Sequence, residues 1–156
     1  MQTGAKADGG TNISARIERT FRASPAKVFR AWTQAEILKQ WICPGDHIHV
    51  VDCTVDARVG GSYRIHMRDA SGADHIVNGT YDEVVPNKKL VFSWAWITTP
   101  EKRSRVTVEL SPAQGNGCHL ILVHDRFHDD GAREGHVRHW IAAFSTFDAK
   151  LAAVAD

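Results

Sequence analysis

The sequence predicts an α+β domain: a curved antiparallel sheet packed under one long C-terminal helix. Three observations predict it. Period-two alternation recurs from residue 47 to residue 127, in runs separated by turn residues at about 8–12-residue spacing. A helical period replaces it from about residue 132 to residue 154. Two short helix starts stand between the first strand and the rest. Strands grouped together with helices outside the run indicate α+β rather than alternating βαβ units. The chain has 156 residues, the size of one domain. It is long enough to bury roughly two-thirds of its unfolded surface without disulfides or metal staples.

Residues 13–22 alternate, with Ile13, Ala15, Ile17 and Phe21 on one side and Ser14, Arg16, Glu18 and Thr20 on the other, so they read as a half-buried strand. Ser24-Pro25 has the form of an N-cap followed by Pro at the first helical position, with Val28, Phe29 and Trp32 at helical spacing after it. Thr33, with Glu36 three residues on, suggests a capping box opening a second short helix that ends near Trp41, before Pro44-Gly45. Strands are expected over 47–55, 62–68, 75–85, 89–97, 103–110 and 118–127. Gly60-Gly61 marks a turn needing positive φ, and Ser71-Gly72 marks a hairpin loop. Over 132–154, Val137, Trp140, Ile141, Phe144, Phe147, Leu151 and Val154 form one apolar stripe. A continuous helix of that length, about 33 Å, crosses a whole sheet. A straight helix on a curved sheet is expected to separate from it in the middle, and such a gap is a natural ligand cavity.

Composition excludes several classes. Apolar residues are 43% and charged residues 24%, ordinary globular values. The net charge is +1, which disfavours nucleic acid as a partner. No apolar run is long enough to span a membrane. Residues 1–12 are polar and Gly-rich, with no apolar stretch, so they read as a disordered tail rather than a signal peptide, leaving 13–156 as the domain. Cys43, Cys53 and Cys118 are odd in number and lack a CxxC, so a reducing, cytoplasmic location is expected.

Five stretches carry a resemblance. They are Arg19-Thr20-Phe21-Arg22-Ala23-Ser24-Pro25 with Val28-Phe29-Arg30-Ala31-Trp32-Thr33; Leu38-Lys39-Gln40-Trp41; Asp56-Ala57-Arg58-Val59-Gly60-Gly61-Ser62-Tyr63; Gly79-Thr80-Tyr81-Asp82-Glu83-Val84-Val85-Pro86 with Lys89-Leu90-Val91-Phe92-Ser93-Trp94; and the C-terminal helix with His136 and Trp140. Their order and spacing resemble the START-like (SRPBCC) helix-grip superfamily, and within it the heat-shock-protein-90 ATPase activator homologue (AHSA1-like) family. One departure is His139, where family members often carry Gly before the helix tryptophan. The resemblance implies a helix-grip fold. It also implies a range of functions: apolar-ligand carriers, polyketide cyclases and aromatases, and co-chaperone domains tied to the stress response. Fold analogy does not choose among them.

Trp41, Trp94, Trp96, Trp140, Phe144 and Phe147 are the aromatic residues placed to line a cavity under the helix, with Tyr63 and Met67 on the inner face of their strand. His124 shares parity with Leu120 and Leu122, so it is expected to point at the helix, and it is the one histidine considered as a general base or hydrogen-bond donor. The other histidines, including the pairs His47/His49 and His136/His139, read as scattered solvated or core residues. No metal site is expected because no HExxH or CxxC accompanies them. Glu83 alternates with Tyr81 and Val85 and is a candidate inward carboxylate, and Cys43 reads as inert. There is no GxSxG, Walker or GxGxxG motif, so no cofactor is expected. The leading expectation is a protein holding a small hydrophobic ligand between sheet and helix. The alternatives are a cyclase-, aromatase- or hydrolase-like enzyme using His124, and a module acting on a chaperone ATPase. A homodimer is a further expectation, resting on an exposed apolar patch over residues 26–41.

Overall fold

The computed structural model describes residues 13–155, so the tail expected over residues 1–12 lies outside the described residues. The chain runs β1 (Ile13–Phe21), α1 (Pro25–Thr33), α2 (Ala35–Trp41), β2 (Ile48–Val55), β3 (Ser62–Asp69), β4 (Asp74–Val85), β5 (Lys89–Trp96), β6 (Ser104–Ala113), β7 (Gly117–Phe127), α3 (Asp130–Ser145) and α4 (Phe147–Ala152). The strands form one seven-stranded antiparallel sheet in the order β1-β7-β6-β5-β4-β3-β2. The helix-grip architecture expected from the sequence is therefore present. Helices α1 and α2 carry the chain from one edge strand, β1, to the other, β2.

Ser24 caps α1 by accepting a hydrogen bond from the Lys27 N–H, and Pro25 occupies the first helical position. The expected capping box at Thr33 does not form. Thr33 is the last residue of α1, and its hydroxyl donates back to the Phe29 carbonyl at 2.8 Å. Gln34, in extended conformation, opens α2 without a side-chain cap. The Trp41 indole N–H donates to the Ala31 carbonyl and ties the two short helices together. Val28, Ala31, Trp32, Ile37, Leu38 and Trp41 are all buried. The surface patch expected over 26–41 is thus absent, because these residues face the sheet.

Two irregularities re-aim side chains. A register shift between Tyr81 and Glu83 breaks the alternation of β4. It turns Glu83 out to solvent, 3.5 Å from the Lys89 ammonium, and Val84 inward. Glu83 is therefore not the inward carboxylate its parity suggested. In β7 the register against β1 shifts between Ala15↔His124 and Ile13↔Phe127, with Arg126 at φ +65°. The extra residue lets both His124 and Phe127 point inward, their rings 4.2 Å apart.

The long C-terminal helix is in fact two helices. Asp129 caps α3 through its Oδ1, which accepts the Ala132 N–H at 2.7 Å, so the helix starts two residues early. It breaks at Thr146, where the Ser145 and Thr146 hydroxyls donate to the Ala142 and Ala143 carbonyls. Beyond the break, Phe147 packs on Phe21 at 4.4 Å, and Asp148 accepts the Arg22 N–H. The apolar stripe survives the break, with Trp140, Ala143, Phe144, Phe147 and Leu151 buried. Ile141 does not belong to it and is 44% exposed. No helix among the described residues is long and apolar enough to cross a membrane.

Candidate ligand cleft

The sheet's inner face and α3 meet in two different ways along the helix. In the C-terminal half of α3, Trp140 and Phe144 are buried against the sheet and the short helices. Trp140 packs against Trp32 at 5.6 Å and Trp94 at 5.4 Å, and Phe144 lies over Trp41 at 6.3 Å. The N-terminal half is built from small residues. Gly131, Ala132 and Gly135 face the sheet there, followed by His136 and His139. Alternating steps of one and three place these five residues on one side of the helix. Opposite them stand Met67 of β3 and Trp94 and Trp96 of β5. Between the two walls lies a cleft of about 300 Å³, at the lower end of small-molecule sites.

Imidazoles dominate the polar character of this region, and their tautomers follow from their partners. The Trp96 indole is a donor only, so the 3.1 Å bond from its Nε1 falls on a lone pair at Nε2 of His136. The proton of His136 is then on Nδ1, which donates to the Ala132 carbonyl at 2.7 Å. His124 mirrors this arrangement beneath the cleft. Its Nδ1 accepts from the Trp140 indole at 3.1 Å, so its Nε2 carries the proton and donates to Ser104 Oγ at 2.8 Å. The Ser104 hydroxyl passes the chain on to the Trp94 carbonyl. Burial pushes the His124 imidazole down to about 2, with His136 adding to the effect. Burial also lowers His136 and His139. For His139, the neighbouring His136 lowers it further and the bonded Ile42 carbonyl partly opposes the shift. Neutral rings at neutral pH make the cleft wall an uncharged one.

Of the sequence-predicted residues, Met67, Trp94 and Trp96 line the cleft. Trp41, Trp140 and Phe144 are packed in the core under the helices. Tyr63 is buried, its hydroxyl donating to the Ser93 carbonyl at 2.7 Å. His124 is fully buried with both ring nitrogens engaged, so neither nitrogen is free for a substrate. The helical half of the cleft, Gly131, Ala132, Gly135, His136 and His139, is the part that sequence reasoning missed. Its signal was readable, since small residues occupied the inward positions where an apolar stripe should continue. Cys43 and Cys53 have thiols raised to about 11, chiefly by burial, which leaves them protonated. Among the described residues, no cluster of three or more His, Cys, Asp or Glu is placed to hold a metal ion.

The family model described as Activator of Hsp90 ATPase homolog 1-like protein matches residues 22–152. The chain belongs to this family. Solved structures agree. The AHSA1 protein of Silicibacter pomeroyi is 27% identical, with 90% of this chain and 98% of that one covered and a TM-score of 0.78. A protein of Chromobacterium violaceum is 25% identical over 88% of this chain and 96% of its own, with a TM-score of 0.78. A protein of Rhodobacter sphaeroides is similar in fold, at 22% identity, 94% and 97% coverage and a TM-score of 0.80. No curated protein matches the chain.

Proposed function

We propose that this AHSA1-like protein is a cytosolic binder of a small, uncharged, largely apolar molecule, held between the N-terminal half of α3 and strands β3 and β5. The observation that carries this reading is the cleft of about 300 Å³ left where α3 turns glycines and an alanine toward Met67, Trp94 and Trp96. The lining supplies aromatic faces and neutral imidazoles, and it contains no Lys, Arg, Asp or Glu. Such a wall favours an apolar guest and penalises an unpaired charge. An enzymatic role through His124 gains no support, because both its nitrogens are bonded within the protein.

The test is titration with Nile red, followed by displacement with candidate apolar compounds. A Cβ built at Gly135 finds only the Arg138 guanidinium, at 3.9 Å, so the backbone there accepts a side chain. Gly135→Phe is expected to fill the cleft, weaken dye binding at least about tenfold and keep the cooperative unfolding transition. Unchanged affinity in a folded Gly135→Phe protein would place the dye elsewhere and defeat the proposal.

The family description favours a second reading, action on an Hsp90-type chaperone ATPase. A change in the cognate chaperone's ATPase rate on adding the protein supports it, and an unaltered rate removes it.

A further inference from the structure

The outer face of the sheet, on the far side from the cleft, carries a second recess. Tyr63 and Ile65 of β3 are buried, so Arg64 between them points outward. Register sets Asn78 of β4 beside Arg64, and Ala95 of β5 beside Asn78. The pairs Ser93↔Arg105 and Trp94↔Ser104 carry that register on to Arg103, at the far end of the same row. An arginine thus stands at each end, roughly 14 Å apart across three strand spacings, with short side chains between. Thr80 and Ser93 lie alongside, where the Thr80 N–H donates to Ser93 Oγ. The ladder opens at this point, its pairs jumping from Asn78↔Ala95 to Tyr81↔Phe92. Together these residues line a groove of about 300 Å³.

The charges around the groove are arranged unevenly. Arginines in the elements that frame it each hold a carboxylate: Arg58 with Asp56 at 2.9 Å, Arg68 with Asp74 at 2.8 Å and Arg105 with Asp125 at 2.7 Å. Among the described residues, the guanidiniums of Arg64 and Arg103 have neither an ion pair nor a hydrogen bond, and no Asp or Glu lines the groove. Guanidiniums only donate, and the Asn78 amide and the Thr80 hydroxyl can donate too. The Ser93 oxygen already accepts from the backbone, which leaves its proton to give. So many donors call for a guest with more anionic oxygens than one carboxylate offers, and two separated cations favour charge at two centres. We propose that this groove binds a small molecule through a diphosphate group, one phosphoryl held by Arg64 and the other by Arg103, with Asn78, Thr80 and Ser93 donating from the floor. The site is independent of the cleft, and either reading can fail without the other.

The experiment is an NMR titration of the full chain, labelled with ¹⁵N, with pyrophosphate as the probe and with orthophosphate and sodium chloride at matched ionic strength as comparisons. Pyrophosphate is expected to give saturable shifts at the Arg64 and Arg103 Nε–H signals and at the Thr80 and Ala95 amides. Arg64→Gln and Arg103→Gln should each weaken it at least about tenfold, the loss of one charge-assisted contact, and orthophosphate should be weaker by a similar factor. Asn78→Asp changes an exposed side chain without changing its shape and sets a carboxylate between the arginines, so it should abolish saturation. Arg138→Gln, which removes the same charge from α3, should leave the affinity unchanged. Amide signals far from the groove report that each variant is folded. Shifts no different from those in sodium chloride overturn the proposal. So do orthophosphate binding as tightly as pyrophosphate, a folded Arg64→Gln or Arg103→Gln protein with full affinity, or an equal loss in Arg138→Gln.

Discussion

Trp140 donates its indole N–H to Nδ1 of His124, and that one bond sets the tautomer of a fully buried imidazole. The remaining proton then has a single destination, the Ser104 hydroxyl, which in turn bonds the Trp94 carbonyl. The chain stitches α3, β7, β6 and β5 together beneath the cleft. His124→Ala removes a ring from a close-packed site and leaves the Trp140 N–H without its acceptor. The expected cost is about 2–4 kcal/mol, read as a fall in the urea midpoint at pH 8. A loss below about 0.5 kcal/mol would mean that the network carries no stability. The parity that pointed His124 inward was readable from Leu120 and Leu122. Its partners were not, because Ser104 and Trp140 lie 20 and 16 residues away and only sheet register and helix placement bring them together.

At the scale of elements, two glycines with opposite roles show what shapes the cleft. Gly135 sits inside α3, where glycine costs about 0.5–1 kcal/mol relative to alanine. A Cβ there meets nothing closer than the Arg138 side chain, so Gly135→Ala is expected to raise stability by that amount. Thermal unfolding would check it, and a drop in Tm would show that the helix face is already in contact with the sheet. Gly79 in β4 is the reverse case. A Cβ there would run into the Ser93 carbonyl and press on the Tyr63 ring. Gly79→Ala is therefore expected to cost about 1–3 kcal/mol through a forced backbone shift, and an unchanged urea midpoint would refute the close approach. The contrast marks Gly79 as a packing requirement. Gly135 is a position where stability is forgone and space is kept, the pattern expected of a binding site.

For the whole molecule, the buried histidines set the response to acid. His124 is held at about 2 in the folded state and has an ordinary value of 6.5 when exposed. His136 and His139 are lowered as well. Above pH 6.5 these rings are neutral in both states and stability is full. Below it the unfolded chain takes up protons that the folded protein refuses, so stability falls as pH drops. His124 alone contributes a limiting slope of about 1.4 kcal/mol per pH unit between its two values. Urea unfolding from pH 8 to pH 4 should show this decline, and His124→Ala, though less stable at pH 8, should show a shallower one. Equal slopes would mean that His124 is not protected from protonation.

The order of elements, the antiparallel strands, the Ser24-Pro25 helix start and the turns at Gly60 and Gly72 were all written in local pattern, because alternation, capping and positive φ are properties of neighbouring residues. Where the pattern misled, the cause was a local competition that a regular period ignores. Hydroxyls of Ser145 and Thr146 break the last helix, and irregular register in β4 turns Glu83 outward. The sequence alone thus determined a sheet gripping a C-terminal helix with an aromatic interior. Only tertiary packing decided that most of those aromatics plug the interior, that the open space lies beside Gly131 and Gly135, and that Arg64 and Arg103 share one groove on the outer face. The reason is that free volume and hydrogen-bond satisfaction belong to the meeting of surfaces distant in the chain, and no residue carries them by itself.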